Sequence, residues 1–288
     1  MRKYFKLGMA LALSVAMLLT SCKKEEVNNN GNNNGNAENP GGGGSGGGPV
    51  TPNQEYPSTA VVLPQAVTDI DGNSYDAVQI GDQVWMAENL RTTKYADGTS
   101  IPLGTSTSTT TAYRYAPGPN ESNEENMENV PHYGYLYNWP AVMHGASSSN
   151  ANPSGVQGIC PDGWHVPSDA EWIQLTDYMK TQPTYMASGN ADNLAKALAA
   201  TWGWNSSSNT DAPGNNPSTN NATGFSALPA GYYNGRYYYF CNNANFWSAT
   251  ERNDENTFYL SLYCSYAGVM YEDNGDKYDG FSVRCVRD

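Results

Sequence analysis

The sequence predicts an α+β domain, two helices packed on short antiparallel strands, with an N-terminal hairpin set and long loops. Three observations carry this expectation. Residues 66–90, "AVTDIDGNSYDAVQIGDQVWMAENL", read as strand, turn, strand, turn and strand. Residues 169–180 and 191–202 place apolar side chains at helical spacing. From residue 236 onward, short aromatic and β-branched runs alternate with turn residues. Helices set between two groups of antiparallel strands is the α+β order.

The front hairpins turn at "DGN", Asp71–Asn73, and at Gly81–Asp82. Such residues tolerate the positive φ of tight turns. "DIDGN" also looks like the start of a calcium loop. The twelfth position counted from Asp69 is Ile80, where an EF-hand needs a closing glutamate, so the turn reading is preferred. Residues 97–131 are irregular and long for a loop, a length that often accompanies function. "YGYLYNWPAV", residues 133–142, is dense in aromatics.

"CPDGWHVPSDAEW", residues 160–172, concentrates a cysteine, a histidine, two aspartates and a glutamate. The same letters also start a helix. Ser168 with Glu171 three positions on is a capping box, and Asp169 suits the positive helix end. Trp172, Leu175 and Met179 then form a buried stripe. Leu194, Leu198 and Trp202 mark a second helix over 191–202. After a turn-rich excursion at 203–224, strands are expected at 236–240, 245–250, 257–263, 267–272 and 280–287. In 257–263, Phe258, Leu260 and Leu262 take one face, and Tyr259, Ser261 and Tyr263 the other.

The N-terminus lies outside this fold. Arg2, Lys3 and Lys6 precede the apolar run "LGMALALSVAMLL", residues 7–19, too short to span a bilayer comfortably. The run ends in "LTSC", which resembles a bacterial lipobox, so residues 1–21 read as a signal peptide and Cys22 as the lipidated residue. "CKKEE", residues 22–26, resembles the surface-export signal of Bacteroidetes lipoproteins. The Asn/Gly-rich stretch through residue 59 has too little apolar content to fold, and reads as a disordered tether over 22–59. A coil of about 35 such residues reaches roughly 30–35 Å. Residues 60–288 form the domain.

The chain carries a formal charge of −13 and becomes three units more negative once Arg2, Lys3 and Lys6 leave with the leader. That argues against nucleic acid and against adhesion to anionic lipid, leaving the lipid anchor as the membrane contact. Four cysteines remain in the domain: Cys160, Cys241, Cys264 and Cys285. In an exported domain this reads as two disulfides, with three pairings open.

The segments "TDIDGNSYDAVQIGDQVWMAENLRTTKYADGT", "YGYLYNWPAV", "GICPDGWHVPSDAEWIQL", "GFSALPAGYYNG", "FWSAT" and "GFSVRCVRD" resemble, as a set, the Fibrobacter succinogenes major paralogous domain family. They span residues 68–288. The resemblance implies a C-type lectin-like fold, shared with formylglycine-generating enzymes, in exported or surface proteins. It implies the pairings Cys160–Cys285 and Cys241–Cys264. The calcium triplets of sugar-binding C-type lectins do not occur here; "RND", Arg252–Asp254, is the nearest echo. The copper-binding cysteine pair of the formylglycine enzymes is also missing, because the resemblance commits these cysteines to bridges. Neither chemistry is carried over.

A Cys160/His165 nucleophile pair needs a free thiolate, which an oxidised Cys160 denies it. His132 and His144 have no ligand spacing. Glu272, Asp273, Asp276 and Asp279, in "EDNGDKYDG", are oxygen ligands that calcium would accept, although Asn274–Gly275 also favours a hairpin turn. The tyrosine runs "YGYLYNW" and "GYYNGRYYYF" supply flat rings with polar tips, and Tyr135, Tyr137, Trp139, Tyr237 and Tyr239 are the candidate ligand contacts. The expectation is a surface-anchored outer-membrane lipoprotein whose domain binds an extracellular glycan or protein, without catalysis and with no cofactor beyond that calcium. The alternatives are an adhesion subunit without a discrete pocket, and an enzyme on a formylglycine-generating scaffold.

Overall fold

Short strands joined by Gly- and Asn-containing turns can build a sheet only if the turns close tightly. Asp69 does this at the front of the domain. One carboxylate oxygen accepts the Asp71 and Asn73 amides at 3.0 and 2.9 Å, and the other accepts Asn73 Nδ2 and the Tyr75 hydroxyl at 2.9 and 2.6 Å. Gly72 takes the positive φ of 83° that this turn requires. The "DIDGN" carboxylate is therefore occupied by its own turn.

The computed structural model describes residues 56–288. The leader, the lipidation site Cys22 and the tether through residue 55 lie outside the described residues. Ordered packing starts ahead of the expected boundary at Ala60, since the Tyr56 hydroxyl donates to Asp76 Oδ2 at 3.0 Å.

In chain order the first strands are β1 (Val61–Thr68), β2 (Ser74–Ile80), β3 (Gln83–Met86), β4 (Arg114–Tyr115), β5 (Leu136–Tyr137) and β6 (Trp164–His165). They are followed by β7 (Tyr232–Tyr233), β8 (Tyr237–Tyr238), β9 (Asn243–Glu251), β10 (Asn256–Tyr263), β11 (Met270–Asp276) and β12 (Val286–Arg287). The α-helices are α1 (Asn123–Asn126), α2 (Val130–Tyr133), α3 (Trp139–Met143), α4 (Asp169–Met179) and α5 (Ala195–Leu198). One sheet has the order β1-β2-β3-β12-β6, so the end of the chain is threaded between the front hairpins and β6. A second sheet has the order β11-β10-β9, and two hairpin-sized pairs, β4-β5 and β7-β8, complete the antiparallel content.

Helix α4 is the longest and packs on β2, β9 and β10. Trp172, Leu175 and Met179 are its buried stripe. Trp172 stacks on Trp85 with 4.4 Å between ring centroids, beside Phe225 and Phe246. Full burial of each such side chain is worth roughly 1.5–3 kcal/mol. The Cys160–Cys285 disulfide is present and closes 125 residues of chain. Arg284, next to Cys285, is completely buried. It donates to Asn89 Oδ1, Met86 O, Phe225 O and Ser226 O, tying β3 to the 225–226 loop. Burial pushes its pKa down to about 9.

Several expectations are corrected here. The second helix shrinks from 191–202 to the single turn of α5. Ala199 is extended because Ala200 N–H and Leu198 C=O bond to Ala227, so a strand-like partner outcompetes further helix. The strand expected at 236–240 is reduced to Tyr237–Tyr238, and that at 280–287 to Val286–Arg287 with isolated bridges at Phe281 and Ser282. Asn274–Gly275 is not a hairpin turn: it lies within β11 at a β-bulge, where the three steps from Glu272 to Gly275 face the two from Tyr259 to Thr257. The bulge absorbs the register change that a turn would otherwise make.

Candidate functional site

The "CPDGWHVPSDAEW" segment is chemically rich and fully engaged. Cys160 is in the disulfide. Ser168 Oγ accepts the Glu171 amide at 3.2 Å, and Glu171 Oε2 accepts the Ser168 amide at 2.9 Å, completing the capping box. The same Oε2 accepts the Ser154 amide, and Oε1 lies 2.7 Å from His165 Nε2. His165 Nδ1 lies 2.7 Å from Asp288 Oδ1. Both ring nitrogens face carboxylate acceptors, an arrangement that favours the imidazolium. Burial opposes that charge, but the bonds to Glu171 and Asp288 outweigh it and raise the pKa above 6.5. The Cys160 thiol, the His165 ring and the Glu171 carboxylate are thus all engaged within the protein.

A different region is open. A cleft of about 620 Å³ lies over the β9–β10 face, beneath the β7–β8 hairpin, a volume within the range of ligand pockets. Antiparallel register builds its wall. Asn245 faces Ser261, Asn243 faces Tyr263, and Glu272 faces Tyr259 across neighbouring strands. The intervening residues Ala244, Phe246, Leu260 and Leu262 point into the core with α4. This alternation is the period-two consequence of a sheet with one buried face. Tyr232 forms the roof, its ring stacked with those of Tyr238 and Tyr239 at 5.4 and 5.9 Å, the three centroids forming a triangle. Gly231 lets this hairpin approach, because a Cβ there would sit 2.3 Å from Tyr238 O. Phe281 packs edge-on to Tyr232 and against Tyr259 below.

Asp279 lines the floor with only 6% exposure. Its Oδ2 accepts the Asp276 amide at 3.2 Å, while its Oδ1 has no hydrogen-bond partner. Burial, then the charge of Asp276, push its pKa up to about 7. A smaller hollow of about 220 Å³ beside Asp69 offers no comparable group, because both Asp69 oxygens serve the turn.

Of the five aromatic candidates, Tyr239 is at the cleft and is 57% exposed. Tyr135, Tyr137 and Trp139 are core residues. The Tyr137 hydroxyl donates to Thr92 O at 2.7 Å, and Trp139 Nε1 donates to Ser248 O. Tyr237 turns away, its hydroxyl donating to Asn123 Oδ1 at 2.8 Å. The four acidic candidates do not converge. Asp273 points out to Arg252, with 3.0 Å between charged atoms, whereas Glu272 accepts from Tyr263 and Asp276 from Asn256. Successive residues of a strand face opposite sides. Among the described residues, no group of three His, Cys, Asp or Glu side chains could hold a metal ion.

The implied Cys241–Cys264 bridge is also corrected, because Cys264 carries a free thiol. The Cys264 amide bonds to Asn242 O at 2.7 Å, so the β9–β10 register sets Cys264 opposite Asn242, one position away from Cys241. Cys264 reaches the cleft wall and Cys241 is buried. The cleft residues Asn243, Asn245, Tyr259 and Tyr263 were not singled out as sites from sequence. The polar face of 257–263 was the available signal.

An α+β domain of antiparallel sheets, with a bridge from its middle to its C-terminal end and a tyrosine- and asparagine-lined cleft, is the class this geometry defines. The chain belongs to the family of the Fibrobacter succinogenes major domain, which matches residues 78–287. No curated protein and no solved structure matches the chain.

Proposed function

We propose that the domain is a non-catalytic glycan-binding module of a lipid-anchored surface protein. One observation carries the reading: a cleft that combines tyrosine rings with asparagine amides, Tyr232, Tyr239, Tyr259 and Tyr263 beside Asn242, Asn243 and Asn245. Ring faces match the apolar faces of sugars, and amides donate to and accept from hydroxyl groups. The fold belongs with the C-type lectin-like folds on this reading. In its support, the outer disulfide runs from just before the main helix to the last strand. Cys22 carries the lipid, and the Asn/Gly-rich tether holds the domain clear of an outer membrane, facing outward.

The test is an array of immobilised oligosaccharides probed with the purified protein, followed by the same labelled oligosaccharide on intact cells. Saturable binding is expected. It is expected to weaken at least fivefold for Tyr239→Ala and to persist for Tyr237→Phe. Cells should lose the label after protease shaving. Failure of every oligosaccharide to bind sinks the glycan reading, and label that survives shaving sinks the surface assignment.

A further inference from the structure

The cleft has an excess of acceptors and one carboxyl left incomplete. Asp279 is almost wholly buried on the floor, with one oxygen on the Asp276 amide and the other unpartnered. A buried polar atom without a partner is costly, and a native fold that retains one leaves room for a missing donor. Other acceptors nearby are occupied by protein: Asp276 Oδ1 by Asn256 Nδ2, Glu272 Oε1 by the Tyr263 hydroxyl, and Asn242 Oδ1 by Asn205 Nδ2. Among the described residues, no Lys, Arg or His lines the cleft. Of the basic side chains on adjoining segments, Lys277 is engaged with Glu251 at 2.7 Å and over the Trp139 ring, Arg252 is engaged with Asp273, and Arg236 is exposed in the β7–β8 turn outside the lining.

We propose that the sugar unit seated on this floor carries a protonated amine, so that the ligand is an amino sugar with its amino group free. The inference rests on the glycan reading above. Rotation about the last torsion of Asp279, which is soft for a carboxyl, presents either oxygen to the cleft. An ammonium there adds a full opposite charge to its hydrogen bond with the carboxylate, which a sugar hydroxyl does not. It also balances two adjacent carboxyls, Asp279 and Asp276, that otherwise repel each other. The faces of Tyr232, Tyr259 and Tyr263 add the attraction of aromatic rings for a cation. A uronic acid meets the opposite situation, with an anion entering an acidic cleft that offers no cationic group. The elevated pKa of Asp279 agrees with this arrangement, since the empty floor lacks a positive charge and retains a proton in its place.

Three β-1,4-linked trimers differ only at C2 of each sugar: glucose, glucosamine and N-acetylglucosamine. Titration calorimetry of the purified protein with each, and with a glucuronate-containing trimer, is the test. The glucosamine trimer should bind about tenfold more tightly than the glucose trimer, with the glucuronate trimer weakest. Asp279→Asn should remove most of that tenfold preference. Equal affinity of wild-type protein for glucose and glucosamine trimers overturns the inference while the glycan reading stands, and this comparison does not depend on any variant folding. No binding of any trimer, after none on the array, fails the glycan reading itself. A lysine-containing peptide that binds more tightly than the glucosamine trimer overturns the assignment to a sugar.

Discussion

Two regions of this domain hold its densest polar chemistry, and they are built on opposite principles. In the segment from Cys160 to Glu171, the thiol, the imidazole and the glutamate already have partners. The thiol is oxidised, both imidazole nitrogens meet carboxylates, and both Glu171 oxygens accept backbone or ring donors. In the cleft over β9 and β10, tyrosines are partly exposed and one oxygen of the floor carboxyl lacks a partner. Residue type alone makes the first region look like an active site. Satisfaction of hydrogen bonds shows that it is a joint, holding the helix start to the end of the chain. The open region is where a ligand has something to gain.

The comparison breaks most visibly if the joint proves to matter for binding rather than folding. Replacing Cys160 and Cys285 together with alanine removes a loop constraint of 125 residues. The chain-entropy relation puts the loss at on the order of 4–5 kcal/mol. Denaturant unfolding should show that loss, while the fraction that remains folded should bind oligosaccharide with unchanged affinity. A folded variant with abolished affinity would merge the two regions into one site.

Next in size is Glu171→Ala. It removes the capping acceptor and strands the Ser154 and Ser168 amides and His165 Nε2, at an expected cost of about 3 kcal/mol. The pH profile sharpens the assignment. His165 has a folded pKa raised above 6.5, so its contribution is fully present below 6.5 and is lost as pH rises through the higher folded value. Wild-type stability should therefore fall across that window, and Glu171→Ala should flatten the fall. An unchanged slope in the variant would mean that the ring is not charged in this joint.

The joint was legible in the sequence because its rules are local. A serine three positions before a glutamate, followed by Trp172, Leu175 and Met179 at helical spacing, specifies a capped helix without knowledge of the rest. The front hairpins were legible for the same reason, through Gly72 and Gly81. The cleft is assembled from segments far apart in sequence, and its definition depends on register. Tyr237 and Tyr239 are indistinguishable as letters, but one lies in the short β8 strand and bonds to Asn123, while the other follows it in the left-handed region with φ of 54°. Tyr135 and Tyr137 read as surface candidates because strict alternation sends some strand residues outward, whereas both faces of this segment are buried, Tyr135 and Tyr137 in the main core and Leu136 in a second cluster. Leu194 and Leu198 are buried as their spacing predicts, but a pairing with Ala227 ends the helix between them and Trp202. The cysteine pairing at 241 and 264 failed by a single position of register.

The finest separation between joint and cleft is available at Tyr239. Its left-handed backbone costs a non-glycine residue about 1 kcal/mol, and its side chain is mostly exposed. That backbone belongs to the tight turn into β9, which also holds Cys241 in the left-handed region, and it sets the ring beside Tyr232 at the mouth of the cleft. Tyr239→Gly relieves the backbone, loses one ring contact and adds the extra chain entropy of glycine, three effects of similar size and mixed sign. Stability should move by less than about 1 kcal/mol, since the Tyr239 carbonyl still accepts the Asn242 and Asn243 amides. Oligosaccharide affinity should fall roughly tenfold, as expected when a stacking ring is lost from a binding surface. Tyr237→Ala should do the reverse, costing about 2 kcal/mol through a lost buried hydrogen bond and packing, with affinity per folded molecule retained. Parallel equilibrium unfolding and calorimetry on the two variants decide the matter. If both lose stability and both keep their affinity, the tyrosine roof is packing, and the cleft has no more claim to a ligand than the joint does.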